Sequence, residues 1–242
     1  MKASEARTRA EVKELLAGID WKHIEESFSS DGHALTPPLL TAGECAEIIG
    51  YYDEDSRFRS RIVMSRFGFG RGEYKYFKDP LPPLVGELRA QLYPRLAPIA
   101  NRWAEAMGGD SFSEKYSEFL SICRAAGQTK PTPLILKYGA GDFNCLHQDL
   151  YGEVAFPFQL TFFLSSGRDY SGGEFVLVEQ RPRMQSRVTV VPSEQGTAVI
   201  FPTRYRAVRG TRGVYKANLR HGVSPVRSGS RFTLGVIFHD AK

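Results

Sequence analysis

Apolar positions recur at helical spacing over residues 4–17 and again from Leu84 to Met107, the stretch expected to form the longest helix. That helix must run through Pro94 and Pro98, each of which removes a backbone donor. Asp20 to Ser30 reads as a shorter helical piece, and "GHALTPPLL" as a strand running into a proline turn. Thr41 stands three residues before Glu44, ahead of "AGECAEIIGYY". That spacing is a capping box, in which the two side chains satisfy each other's backbone N–H groups. Arg57 to Phe77 alternates charged and apolar residues around "GFGRG", which predicts a hairpin. Residues 110–130 are polar and give no clear element.

From Thr132 the pattern changes. "TPLILKY", "FPFQLTFFLSS", "GEFVLVEQ", "SRVTVVPS", "GTAVIFP" and "SRFTLGVIFHD" are short, rich in β-branched and aromatic residues, and separated by Gly, Pro or Ser. Regular short strands with turn signals predict an all-β sandwich or barrel. The unbroken "LTFFL" predicts a strand buried on both faces. The expected class is α+β. A mainly helical part with a basic hairpin, residues 1–130, packs around a β core, residues 131–242. No linker divides them, so one domain over 1–242 is expected.

Hydrophobic content of 42% and charged content of 24% are ordinary for a globular chain of 242 residues with a core. No run approaches the roughly 20 apolar residues of a membrane span, so no membrane is expected as a partner. The charged start "MKASEARTRAEVKELLAGID" has no apolar signal core. Cys45, Cys123 and Cys145 are odd in number and widely spaced. They suggest reduced thiols in a cytoplasmic protein and argue against a disulfide framework or a zinc site. The net charge is +5, and between Thr203 and Phe238 eight Lys/Arg occur with no Asp or Glu.

The chemistry gathers around "KYGAGDFNCLHQDLYG". In an extended segment, residues two apart point to the same side. His147 and Asp149 then present an imidazole and a carboxylate together. Downstream only His221 and His239 remain as a third donor. His221 precedes the last strand, whereas His239 follows it near the end of the sequence, so His221 is preferred. Two histidines and one carboxylate leave open positions on an octahedral metal, the arrangement diagnostic of non-haem Fe(II) oxygenases. Arg231 opens the last strand, and Thr233 shares its face. An inward arginine on an apolar strand needs an anion, and a dicarboxylate such as 2-oxoglutarate fits.

The ordered set "Y-x-x-G…H-x-D…SGGEF…H…R-x-T" resembles the Fe(II)/2-oxoglutarate-dependent oxygenase superfamily, specifically its prolyl 4-hydroxylase-like branch. Tyr138 lies nine residues before His147, with Gly141 three after it, as in that branch. "DYSGGEFVLVE" and "HGVSPVRSGSRFTLGVIFHD" resemble the strands that follow and close the core. The resemblance covers roughly Leu134 to Asp240, with a weaker echo in "LLTAGECAEIIGYY". It departs at Phe163, where the branch often has a tyrosine that meets 2-oxoglutarate. Tyr138 is left to that role.

The resemblance implies a double-stranded β-helix, or jelly roll. It implies Fe(II) on His147, Asp149 and His221, and 2-oxoglutarate on Arg231 with Tyr138 and Thr233 beside it. It also implies dioxygen as oxidant, with succinate and CO2 released as a substrate C–H bond is hydroxylated. Hydroxylation of an N-methyl carbon ends in demethylation.

Two substrate classes stay open: a protein or peptide side chain, which the branch favours, and alkylated nucleic acid. The arginines of Arg204–Arg220 and of Arg57–Arg71, the latter interleaved with aromatics, suit a macromolecular or anionic substrate, nucleic acid included. They also suit a merely solvated basic face. The alternative from another class is a non-catalytic jelly-roll binding protein with a vestigial metal site.

Overall fold

The structure, a computed structural model, describes residues 7–149, 152–211 and 213–242. Residues 4–6 of the first expected helix, and Arg212, lie outside them. The helical part contains α1 (Arg9–Ala17), α2 (Trp21–Asp31) and α3 (Ala42–Gly50), with β1 (Ala34–Leu35) between the last two. Thr8 with Glu11 caps α1, and Thr41 with Glu44 caps α3, each by a reciprocal box. Asp20 caps α2 by accepting from the His23 N–H.

The expected hairpin is β2 (Phe58–Val63) against β4 (Glu73–Phe77), antiparallel with Ile62 opposite Tyr74. The short β3 (Gly70–Arg71) lies between them in sequence and pairs elsewhere. The long helix, α4 (Pro83–Ala106), runs through both prolines. An interior proline costs about 3 kcal/mol. Each fully buried large apolar side chain returns about 1.5–3 kcal/mol. Leu84, Leu88, Leu92, Leu96 and Ile99 all bury, so packing outweighs the broken ladder. The stretch that gave no clear element holds α5 (Tyr116–Ala125), which buries Phe119 and Cys123. Its packed face, Tyr116, Phe119 and Cys123, recurs at helical spacing but is short, and the polar segment around it masks it.

The β core follows as β5 (Leu134–Tyr138), β6 (Phe143–His147), β7 (Phe158–Phe163), β8 (Tyr170–Gly172), β9 (Phe175–Gln180) and β10 (Arg187–Val191). Next come β11 (Ala198–Pro202), β12 (Tyr205–Gly210), β13 (Gly213–Val223), β14 (Val226–Gly229) and β15 (Arg231–Ile237). One sheet has the order β1-β11-β7-β15-β5-β4-β2. The other runs β10-β9-β13-β6-β3, with β12 on β13. A third pair, β14-β8, stands apart. The antiparallel sheets form the expected jelly roll.

Alternation along the strands separates two cores. Leu160 and Phe162 of β7, with Leu234 and Val236 of β15, join the helices in one apolar cluster. Tyr138, Phe163, Phe175, Leu177, Phe201, Leu219 and Val223 form the second. All six β7 residues are buried, as the unbroken apolar run predicted.

The arginine-rich stretch before His221, which gave no strand signal, is regular structure. It forms the β12–β13 hairpin, with Tyr205 opposite Asn218 and Val208 opposite Tyr215. Its inward positions are Arg206, Val208, Ala217 and Leu219. An arginine at an inward position hides the two-residue period.

Candidate active site

The cavity opens beside the second core, with a volume of about 360 Å³. β6 and β13 bring its polar groups together. They run antiparallel with His147 directly opposite His221, and the ring centroids are 4.1 Å apart. Asp149 lies two residues past the end of β6. Its Oδ1 is 3.6 Å from His147 Nε2, and its Oδ2 is 3.2 Å from His221 Nε2. The three donor atoms all lie within 4.8 Å of one another. This is the one group of three or more such side chains close enough to share an ion among the described residues.

Surrounding bonds orient the donors. His147 Nδ1 lies 2.8 Å from the Cys145 carbonyl. A carbonyl only accepts, so Nδ1 carries the proton and Nε2 keeps its lone pair turned toward Asp149. Burial lowers the His147 pKa, and the neighbouring His221 lowers it further, both favouring the neutral ring a metal needs. Gln159 Nε2 donates to Asp149 Oδ2 at 2.9 Å. Burial alone would raise the Asp149 carboxyl, but His221, His147 and Gln159 outweigh it and hold it well below the usual carboxylate range. His221 is buried against Phe175 and Phe201. Gln148 lines the cavity too, and its amide donates to the carbonyls of Arg204 and Leu219, which ties this segment to β12 and β13.

Arg231 also lines this cavity, and only 1% of it is exposed. Its Nε, Nη1 and Nη2 are buried and make no hydrogen bond to any described residue. Its guanidinium carbon lies 5.6 Å from the Tyr138 ring centroid and 5.9 Å from those of Phe163 and Tyr170. Aromatic faces soften a buried charge but do not replace an anion. Tyr138 stands opposite Arg231 in the β5–β15 register, and Thr233 follows on the same face of β15. Asn144 donates to the Tyr138 hydroxyl at 3.4 Å, and burial pushes that hydroxyl up to about 12. Gly173 makes way for the arginine: a Cβ there would sit 2.9 Å from Arg231 Cδ, at a φ of +65°.

His147, Asp149, His221, Arg231, Tyr138 and Thr233 therefore border one cavity. Asn144, Gln159 and Thr161 line it as well. Tyr74 lines it from β4 and carried no signal beyond the aromatic pattern of its hairpin. His239 stands elsewhere: it is buried, and its Nδ1 accepts the Phe156 N–H at 3.1 Å. His23 is exposed on α2.

The basic stretches divide. Arg206 is buried, with Nη1 2.9 Å from Glu179 Oε2 and Nη2 donating to the carbonyls of Ser29 and Ser30. Arg57 pairs with Glu54, Arg59 donates to the Pro131 carbonyl and Arg61 pairs with Glu73. All four are engaged with groups of the fold itself, Arg206 fully buried and Arg61 at the surface. Arg66, Arg71, Arg204, Arg209 and Arg220 are exposed.

The jelly roll is the fold of 2-oxoglutarate/Fe(II) oxygenases of the prolyl hydroxylase-like kind. A Pseudomonas putida prolyl-4-hydroxylase is similar at a TM-score of 0.53 and 14% identity, over 92% of this chain and 99% of that one. A Trichoplax adhaerens prolyl hydroxylase, solved with a hypoxia inducible factor oxygen degradation domain peptide fragment, reaches 0.54 at 13%, over 99% and 96%. Both likenesses concern the fold.

The chain belongs to the family described as "Oxygenase, catalysing oxidative methylation of damaged DNA", whose profile matches residues 72–241. An uncharacterized protein of Mycobacterium tuberculosis is 49% identical over 167 residues, 68% of this chain and 72% of that protein. The oxygenase family, the fold and the His-Asp-His set agree on Fe(II), 2-oxoglutarate and dioxygen. The site fits them on its own chemistry, with three donors within 4.8 Å of one another and a buried guanidinium with no hydrogen-bond partner among the described residues. The non-catalytic alternative is not favoured.

Proposed function

We propose that this protein is an Fe(II)- and 2-oxoglutarate-dependent dioxygenase that removes N-alkyl groups from nucleic acid by hydroxylating them. The observation that carries the reaction class is the unpaired guanidinium of Arg231, which shares one cavity with the three donors. His147, Asp149 and His221 would hold the metal. Arg231 would take the far carboxylate of 2-oxoglutarate, with Tyr138 and Thr233 beside it. When bound, the metal and cosubstrate couple oxidative decarboxylation to insertion of one oxygen atom into a C–H bond.

The chain's own groups do the rest. The Cys145 carbonyl fixes the His147 tautomer, and the Gln159 amide orients Asp149. Leu134, Leu136, Phe175 and Ile237 line the cavity and limit water. A hydroxylated N-methyl group departs as formaldehyde once the hemiaminal collapses, returning the N–H. The choice of nucleic acid rests on the family description and on the exposed arginines Arg204, just before β12, Arg209 on β12 and Arg220 on β13. Free thiols at all three cysteines suit a reducing, cytoplasmic setting.

The test is anaerobic titration with Fe(II) and 2-oxoglutarate, followed by formaldehyde release from an N-methylated oligonucleotide. The expected result is a weak visible charge-transfer band, lost in Asp149→Ala, and formaldehyde in step with succinate. No band from folded protein would overturn the chemistry. A band with turnover only on a peptide would overturn the substrate.

A further inference from the structure

The loop between β2 and β4 bears a feature the reaction leaves unused. Phe67 and Phe69 are 56% and 47% exposed, and their rings stack on each other at 5.5 Å and 22°. Large aromatic surface held in water costs free energy, so such a stacked pair points to a contact yet to be made. The base of the loop is built firmly. Met64 is fully buried, and its carbonyl accepts from the N–H groups of both Phe67 and Phe69. The Phe69 carbonyl accepts the Cys145 N–H at 2.8 Å, and β3 pairs with β6. At Gly70 a Cβ would fall 2.3 Å from the Phe143 carbonyl oxygen, so only glycine lets the loop lie this close to β6. The platform is thus pinned to the strand that carries His147, and Gly68 and Phe69 line the cavity.

Two arginines flank it. Arg66 and Arg71 are exposed and make no ion pair with a described residue, unlike Arg57 and Arg61 earlier in the same hairpin. A rigid aromatic platform between two available guanidinium groups matches a nucleobase between two phosphates. Cavity size adds a constraint. About 360 Å³ is near the lower end for ligand pockets. A cavity of this size suits one base-sized group, so the target base must leave its stack to react, which is easiest from an unpaired strand.

We infer that the Ser65–Gly72 loop is a single-strand clamp. Phe67 and Phe69 stack a base neighbouring the one that enters the cavity, and Arg66 and Arg71 hold the adjoining phosphates. The preferred substrate is therefore an unpaired strand. This inference rests on the nucleic-acid reading above.

Fluorescence anisotropy of the full chain with a labelled oligothymidylate, alone and annealed to its complement, tests it. Wild type is expected to bind the single strand more tightly than the duplex. Phe67→Ala/Phe69→Ala should weaken single-strand binding roughly tenfold or more. Phe67→Tyr/Phe69→Tyr should keep it. Phe67→Leu/Phe69→Leu, which retains apolar bulk, should lose it even if the alanine variant fails to fold. Arg66→Gln/Arg71→Gln should flatten the salt dependence by about 0.7 log units per arginine. No wild-type binding to either probe would overturn the nucleic-acid reading and the clamp together. Binding that the leucine variant matches would overturn the clamp alone. Equal affinity for the duplex would overturn the preference for an unpaired strand.

Discussion

Arg231 shows how one side chain can be badly placed for stability and well placed for binding. It is fully buried on β15 with three nitrogens unsatisfied among the described residues. An uncompensated buried charge destabilises, often by several kcal/mol, and a well-packed apolar replacement can be stabilising. Arg231→Met should therefore melt higher than wild type in the absence of ligand. Wild type should gain stability on adding 2-oxoglutarate by mass action, and the variant should not. The variant's 2-oxoglutarate KM should rise roughly ten- to a hundredfold, the loss of a charge-assisted hydrogen bond of about 1.5–3 kcal/mol. Differential scanning fluorimetry with a 2-oxoglutarate series checks both; a variant that melts lower and still responds would contradict this account. His147, Asp149, His221 and Arg231 stood out in the sequence because polar groups at fixed offsets interrupt apolar strands. The Cys145 carbonyl and the Gln159 amide did not, since a backbone group leaves no trace in residue type and an inward glutamine resembles any strand glutamine.

Among the elements, those defined by local chemistry were legible. The α3 capping box could be read from Thr41 and Glu44 alone, and the structure closes it, with Glu44 buried and paired to Arg7 at 2.9 Å. Thr41→Ala should cost about 1–2 kcal/mol, because the cap holds a carboxylate that is already out of water. A shift of the urea midpoint at unchanged slope measures it, and an unchanged midpoint would mean the cap contributes nothing. Elements that depend on distant partners were harder to read. β12 and β13 gave no strand signal because Arg206 points inward, and only Glu179 on β9 and the end of α2 explain why it can. α5 was missed because the large aromatic cluster of Tyr93, Phe156 and Phe238 is what makes its few apolar residues sufficient.

Across the whole molecule, the helices and the β core meet at a buried polar knot. Arg89 of α4 donates to the Ile237 and Phe238 carbonyls and pairs with Asp240 at 2.7 Å. His239 lies within it, its Nδ1 already accepting the Phe156 N–H. Burial, then the nearby Arg89 charge, lower its pKa from 6.5 to about 4. The unfolded chain takes up this proton below pH 6.5, whereas the folded chain resists until about pH 4. Stability from this group is therefore complete above pH 6.5 and falls by roughly 3 kcal/mol as the pH drops to 4. His239→Asn keeps an acceptor for Phe156 and cannot titrate. Its stability should fall less steeply between pH 6.5 and 4, as urea midpoints across that range would register; parallel profiles would remove His239 from the acid response.

The placement of Arg231 has a further consequence for how the enzyme would turn over. Under the proposed chemistry, Arg231 grips the end of 2-oxoglutarate that decarboxylation leaves untouched. Succinate carries the same terminal carboxylate, so the product departs from a hold designed for its parent. What distinguishes the two is only the keto-acid end at the metal. Spent cosubstrate is thus a natural competitor for the site. The working rate would follow the ratio of 2-oxoglutarate to succinate around the protein, so the supply of one carbon acid and the removal of another would set its pace together.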